Sequence, residues 1–363
     1  MSPLGSFARV PTRCSHSHQS LFQLLPSTWW AAVAVPQVNP AGNERGFDEV
    51  EAEFVLVMKF TLVGHTHLSY CWHYERVSKP LQDLITLLDL ETIEVNIFRG
   101  QSPDENRQRV FGGQVAGQAL VAAARTIDEP GRMVHSLHAY FLRSGDPGVP
   151  ILYEVDRIRD GKSFSTRRVV AIQHGKAIFN VQASFQKAEP GLEHQIAMPT
   201  DVPEPDSLPD FKSLMEPYKE KLGDWYDRPR PIDMRYVDGN PFTRRGNPQP
   251  GQRVWFRTDG KLPDDNVLHA CIVTYASDMT LLDSALLPHG RSIADGSLQL
   301  ASLDHAMWFH RDFRADDWLL YQQSSISTSN SRGMAEGHIF TRDGKLVVTV
   351  VQEGLARLVT NNL

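Results

Sequence analysis

The chain has 363 residues, 41% of them apolar and 22% charged, with a formal net charge of -6. That length suffices for two domains of ordinary size, and the slight acidic excess gives no support to nucleic-acid binding, which usually shows as a basic face. Three scattered cysteines, Cys14, Cys71 and Cys271, exclude a disulfide framework and point to a reducing compartment.

The first 43 residues carry no Asp or Glu, several Ser, and Arg9 and Arg13. This loosely matches an organelle transit peptide, and residues 1–80 are read as a disordered or targeting extension. Its apolar runs Trp29–Val35 and Phe54–Gly64 are too short to cross a bilayer, so no membrane span is expected. His16, His18, His65, His67 and His73, with Cys14 and Cys71, follow no metal-ligand spacing; no metal or cofactor is assigned.

Organised sequence starts at Pro80, where Leu81, Leu84, Ile85 and Leu88 fall on one helical face. Thr92–Phe98 alternates as a strand does, and Val115–Ile127 after Phe111-Gly112-Gly113-Gln114 is apolar all round, as a buried helix is. Strands follow over 134–143, 151–159, 163–173 and 176–186, with turns at Gly161 and Gly175. Residues 188–250 hold eleven of the 23 prolines and read as a connection with one short helix over 211–222.

The pattern then recurs. Strands are predicted over 232–237 and 254–258, and a buried run over 268–276 whose last five residues, Ile272–Ala276, read as strand. Asp278 is placed at the N-terminus of a short helix closed by Pro288-His289-Gly290, and strands follow over 300–309, 318–325, 331–341 and 345–354. His138-Ala139-Tyr140-Phe141 reappears 167 residues later as His305-Ala306-Met307-Trp308, and Gly175-Lys176 reappears 169 residues later as Gly344-Lys345. Such a duplication predicts an α+β double hotdog, two antiparallel sheets each wrapped around a buried helix. The boundaries expected are 81–187 for a first hotdog domain without catalytic residues, 188–231 for a linker and 232–357 for a second, catalytic hotdog domain.

The halves differ in their polar residues. The first has no Asp or Glu between Glu105 and Asp128, whereas the second offers Asp278, which as a helix N-cap would be held ionised by the dipole. Gln352 and Ser302 stand where the repeat places Ala183 and His135, and polar residues inside a sheet need partners. If Asp278, Ser302 and Gln352 meet, they suit a water-mediated attack on an activated carbonyl such as a thioester; otherwise each is an ordinary cap or strand-edge residue. Asp304 is a rival base, and His305 is the histidine placed to line a pocket.

The motifs Phe98-Arg99-Gly100-Gln101-Ser102, Val110-Phe111-Gly112-Gly113-Gln114-Val115, Tyr275-Ala276-Ser277-Asp278, Leu303-Asp304-His305-Ala306-Met307-Trp308 and Val351-Gln352-Glu353-Gly354 resemble those of the acyl-CoA thioesterase II family, in order, between Leu81 and Arg357. The resemblance implies a double hotdog that hydrolyses fatty acyl-CoA to free acid and CoA, with Asp278, Gln352 and Ser302 orienting water; Ser302 stands where bacterial members typically carry Thr. It implies an acyl-CoA substrate, a homo-oligomer and a peroxisomal address. The final Leu363 fits a Ser-Lys-Leu-type signal and Asn361-Asn362 do not, which leaves cytosol and mitochondrion as alternatives. A hotdog enoyl-CoA hydratase and a non-catalytic acyl-CoA-binding protein are the competing readings.

Overall fold

The computed structural model describes residues 78–359 apart from 104–107, 244–245 and 293–295. The N-terminal extension up to residue 77, with its apolar runs and its His/Cys group, lies outside the described residues, as do residues 360–363.

Helix α1 (Lys79–Leu88) begins where Ser78 accepts from the Leu81 amide and Pro80 sits in the first turn, with no hydrogen bond to forfeit. The single strand expected over 92–98 is a hairpin, β1 (Glu91–Glu94) and β2 (Ile97–Gly100). Asn96 takes a φ of 62° and turns the chain, a conformation Asn tolerates better than most residues. Helix α2 (Gly112–Ala124) is buried from Gly113 to Ala123, and its only polar side chains, Gln114 and Gln118, are buried with the rest and donate to backbone carbonyls. Four long strands follow: β3 (Arg132–Phe141), β4 (Ile151–Asp160), β5 (Phe164–Gln173) and β6 (Lys176–Lys187). Their alternation turns residues such as Phe179, Val181, Ala183 and Phe185 inward.

The helix expected over 211–222 is broken into α3 (Phe211–Met215) and α4 (Lys219–Leu222), and α5 (Asp224–Asp227) follows. Pro217 and Gly223 stand at the breaks. The second half contains β7 (Ile232–Tyr236), β8 (Gly251–Thr258), α6 (Asn266–Ser277), α7 (Leu281–Ser284), β9 (Leu298–Ser302), β10 (Asp304–Phe309), β11 (Leu319–Ser329), β12 (Arg332–Thr341) and β13 (Leu346–Leu358). Two expectations change here. Ile272–Ala276 is not strand but the end of α6, because burial on nearly all sides overrides the strand preference of its β-branched residues. The strand expected over 300–309 divides at Leu303, so that β9 pairs with the C-terminal part of β13 and β10 with its middle.

The strands run β1-β2-β4-β5-β6-β3-β10-β13-β12-β11-β8-β7, with β9 beside β13. Pairing of β3 with β10 joins the two antiparallel arms into one 13-stranded sheet. The first arm packs on α2, and the second meets the end of α6 through His305, Met307 and Tyr321 at Ser277, consistent with a double hotdog. The helices pack antiparallel, with Gly113 against Tyr275 and Gly117 against Cys271. A side chain at Gly113 would place its Cβ 2.3 Å from the Tyr275 carbonyl oxygen, so only glycine permits this approach. Asn266–His289 is apolar and long enough to cross a membrane, but 72% of its most apolar stretch is buried inside the protein, as a core helix is.

Candidate active site

Asp278 is the C-cap of α6, not the first residue of a following helix; α7 starts three positions later, with Thr280 at its N-cap. A carboxylate at the C-terminus of its own helix meets the negative end of that dipole. The antiparallel packing offsets this by bringing the N-terminus of α2 to the same point. The Gly113 amide donates to the Asp278 carboxylate, and Phe111, at the N-cap of α2, supplies no side-chain cap of its own. Asp278 therefore does cap a helix, but one that belongs to the other half.

Gln352 on β13 and Ser302 at the end of β9 converge on this carboxylate. Gln352 Nε2 donates to Asp278 Oδ1 at 2.7 Å and to Ser302 Oγ at 2.9 Å, and Ser302 Oγ donates to the same Oδ1 at 3.2 Å. The register accounts for the meeting: Ser302 lies opposite Gly354, two residues along β13 from Gln352. Gln352 is fully buried, whereas Asp278 and Ser302 are half-buried and reachable. Oδ2 faces Gly112, where a Cβ would come within 2.6 Å of it.

Burial pushes the Asp278 pKa up from 3.8 to about 6, while bonds from Gln352, Ser302 and Gly113 and the charge of Arg109 pull it back. The expected depression by a helix dipole is thus reversed, because loss of solvent outweighs the donors. A carboxylate with this pKa is ionised at neutral pH yet more basic than an ordinary Asp.

The rival base, Asp304, accepts from the Glu353 amide at 2.8 Å and projects from the opposite face of β10 to His305. His305 is buried with Nε2 2.8 Å from Ser277 Oγ. His135 bonds Ser184 Oγ and His138 packs edge-on against Trp308, both away from the trio. In the first half Ala183 lies opposite Arg167, as Gln352 lies opposite Ala335 in the second. Arg167 is fully buried there and donates to Thr126 and Asp160, so an ion-paired plug fills the volume. Among the described residues no group of His, Cys, Asp or Glu is placed to hold a metal ion.

Sequence reasoning missed the share of the first half in this site: Gly112, Gly113 and the Arg109 charge. Two adjacent glycines heading a buried helix were the available signal, since nothing but close approach explains them there. Beside the site lies a cavity of about 880 Å³. Its lining includes Phe111, Tyr275 and Met279, the chain neighbour of Asp278, together with Leu87, Phe211 and Trp225, and none of Asp278, Ser302 and Gln352. Phe111 and Tyr275 meet edge-to-face with ring centres 5.1 Å apart.

The chain is similar to known acyl-CoA thioesterases. A family model described as acyl-CoA thioesterase matches residues 232–355, and one described as acyl-CoA thioesterase N-terminal domain matches residues 102–186. Acyl-coenzyme A thioesterase 8 of Mus musculus is 43% identical over 75% of this chain and 88% of its own length. The crystal structure of an acyl-CoA thioesterase II from Mycobacterium marinum is 47% identical, covers 77% of this chain and 99% of that one, and superposes with a TM-score of 0.63. A hot dog fold protein of unknown function from Alicyclobacillus acidocaldarius is 19% identical, covers 77% of this chain and 99% of that one, and shares the fold with a TM-score of 0.62.

Proposed function

Because the chain belongs to the acyl-CoA thioesterase II family and is an acyl-CoA hydrolase, we propose that Asp278, Gln352 and Ser302 perform the hydrolysis by orienting a water for direct attack on the thioester. The observation that carries this reading is the mutual bonding of the three side chains around one half-buried carboxylate. Oδ1 is held by the two side-chain donors, and Oδ2, on the Gly112 side, keeps a lone pair to take a proton from water even with the Gly113 amide donating to the carboxylate. Ser302 Oγ retains acceptor capacity for the same water.

As the water oxygen bonds to the carbonyl carbon, its proton passes to Asp278 and negative charge gathers on the former carbonyl oxygen. Amides of the first turn of α2, those of Gly112 and Gln114, are the donors suited to that charge. Collapse breaks the carbon–sulfur bond and expels CoA as thiolate, which takes up the proton from Asp278. A thiol with a pKa of about 8.5 leaves without a strong acid. The division of labour proposed is that residues 232–357 carry the reacting side chains and residues 81–187 contribute the end of α2, with 188–231 joining them. A homo-oligomeric, peroxisomal enzyme completes the reading on family grounds.

The cavity is the proposed acyl pocket: it is largely apolar, of ligand size, and begins at residues adjoining Asp278. Leu87→Trp, which fills part of it from α1, should lower kcat/KM for palmitoyl-CoA by about tenfold while leaving acetyl-CoA hydrolysis nearly unchanged. Free-thiol release across acyl lengths makes the measurement. Equal losses at all lengths, or none, would place the acyl chain elsewhere.

A further inference from the structure

His305 is a buried ring that the reaction as derived leaves unused. The register that pairs Ala306 with Val351 sets His305 and Gln352 as the next opposed residues of β10 and β13, and both side chains are buried. Opposed residues on neighbouring strands hold their Cβ atoms about 5 Å apart. Two atoms of this pair are buried without a hydrogen-bond partner, His305 Nδ1 and Gln352 Oε1. The Gln352 side chain also acts on the protonation of His305. Buried polar atoms left unpaired are costly, and these two complement one another.

One arrangement of protons satisfies His305 Nδ1 and Gln352 Oε1 together. The Asp278 carboxylate accepts and cannot donate when ionised, so Gln352 must present its NH2 there, at 2.7 Å, and its carbonyl to the other side. That carbonyl is left without a donor, and Nδ1–H of His305, likewise unpaired on the neighbouring strand, is the group suited to supply one. Burial pushes the His305 pKa down to about 4, so the ring is neutral, and with its proton on Nδ1 the Nε2 atom is the acceptor. The Ser277 hydroxyl lies 2.8 Å from Nε2 and 3.0 Å from the Thr274 carbonyl oxygen, and in this tautomer it has its one proton turned to Nε2.

We propose that His305, oriented by Ser277, is a positioning residue that locks the Gln352 amide in the sense that donates to Asp278 and Ser302. Without the ring, a half-turn of the amide would set a carbonyl oxygen against the carboxylate and displace the water. The inference rests on Asp278 being the base.

The test compares His305→Leu and His305→Asn with the wild type in kcat, KM and the pH dependence of kcat/KM. His305→Leu should lower kcat by about 100-fold with little change in KM, the loss expected of a misplaced reacting group. Its acid limb should move to higher pH, because Asp278 loses a donor that holds its pKa down. Asn, whose amide nitrogen takes the place of Nδ1, should recover most of the rate. In a Gln352→Leu background, His305→Leu should add no further loss, since no amide remains to position. If His305→Leu does not fold, His305→Gln, which reaches Ser277 instead, should be slower than His305→Asn.

An unshifted acid limb, a folded Asn variant no better than Leu or Gln, or full additivity with Gln352→Leu would overturn the proposal. Activity retained by Asp278→Asn would instead remove the base reading beneath it.

Discussion

Asp278→Asn is expected to lower kcat by about 10²–10⁴-fold, the range contributed by a positioned general base, while the protein becomes more stable at neutral pH. Asn keeps the shape and still accepts from Gln352 and Ser302 through its carbonyl oxygen, but it cannot take a proton from water. The stability gain follows from linkage. The folded pKa of about 6 lies above the unfolded 3.8, so the native state binds this proton more tightly. The stabilisation by protonation is complete below pH 3.8 and is lost as pH rises through 6. Above that point the wild type holds a buried charge that Asn lacks. The shift corresponds to roughly 1–3 kcal/mol once solvent access to the half-buried carboxylate is allowed for. Thermal melts should therefore separate the two proteins at pH 8 and bring them together below about pH 4. The same titration predicts that wild-type kcat/KM falls as pH drops below about 6. A variant that is both inactive and destabilised at pH 8 would show a structural carboxylate.

The second large effect is expected at a residue with no side chain. Gly113→Ala must move backbone, since the new Cβ would stand 2.3 Å from the Tyr275 carbonyl oxygen. Overpacking of this kind costs about 1–3 kcal/mol. Parting α2 from α6 also withdraws the Gly113 amide from Asp278, so hydrolysis should fall by about 100-fold even in the folded fraction. Gly117→Ala serves as the comparison: its Cβ would lie 3.2 Å from the Cys271 oxygen and 3.1 Å from the Leu88 side chain, contacts that small shifts can relieve. It should cost less stability and little rate. Melting temperatures and free-thiol assays on both variants measure the contrast, and comparable behaviour of the two would argue against α2 as part of the site.

Much of the fold is legible because its causes are local. A helix apolar on every side, alternating strands and glycine turns recur at nearly constant spacing, and each recurrence has a physical reason within ten residues. Gln352 and Ser302 stand out in the sequence as polar residues where the repeat predicts strand interior, and Asp278 as an acid that the first half lacks. Their partners do not. That Gly113 meets Asp278 depends on two helices lying antiparallel across the repeat, a tertiary fact that no periodicity encodes. The sign of the Asp278 shift was misread for the same reason: a dipole can be judged from chain position, whereas burial depends on what packs above. Strand breaks at Asn96 and Leu303 escaped notice because alternation runs through them unchanged.

Loss of activity in Asp278→Asn and a rate that falls below pH 6 would also follow if the carboxylate attacked the thioester itself and formed an anhydride. A single turnover in oxygen-18 water, with enzyme in excess over palmitoyl-CoA, separates direct attack from an anhydride opened at the Asp278 carbonyl. Direct attack places one heavy oxygen in the fatty acid released and none in the peptide that contains Asp278. An unlabelled fatty acid, with the heavy oxygen found in that peptide, would contradict the account.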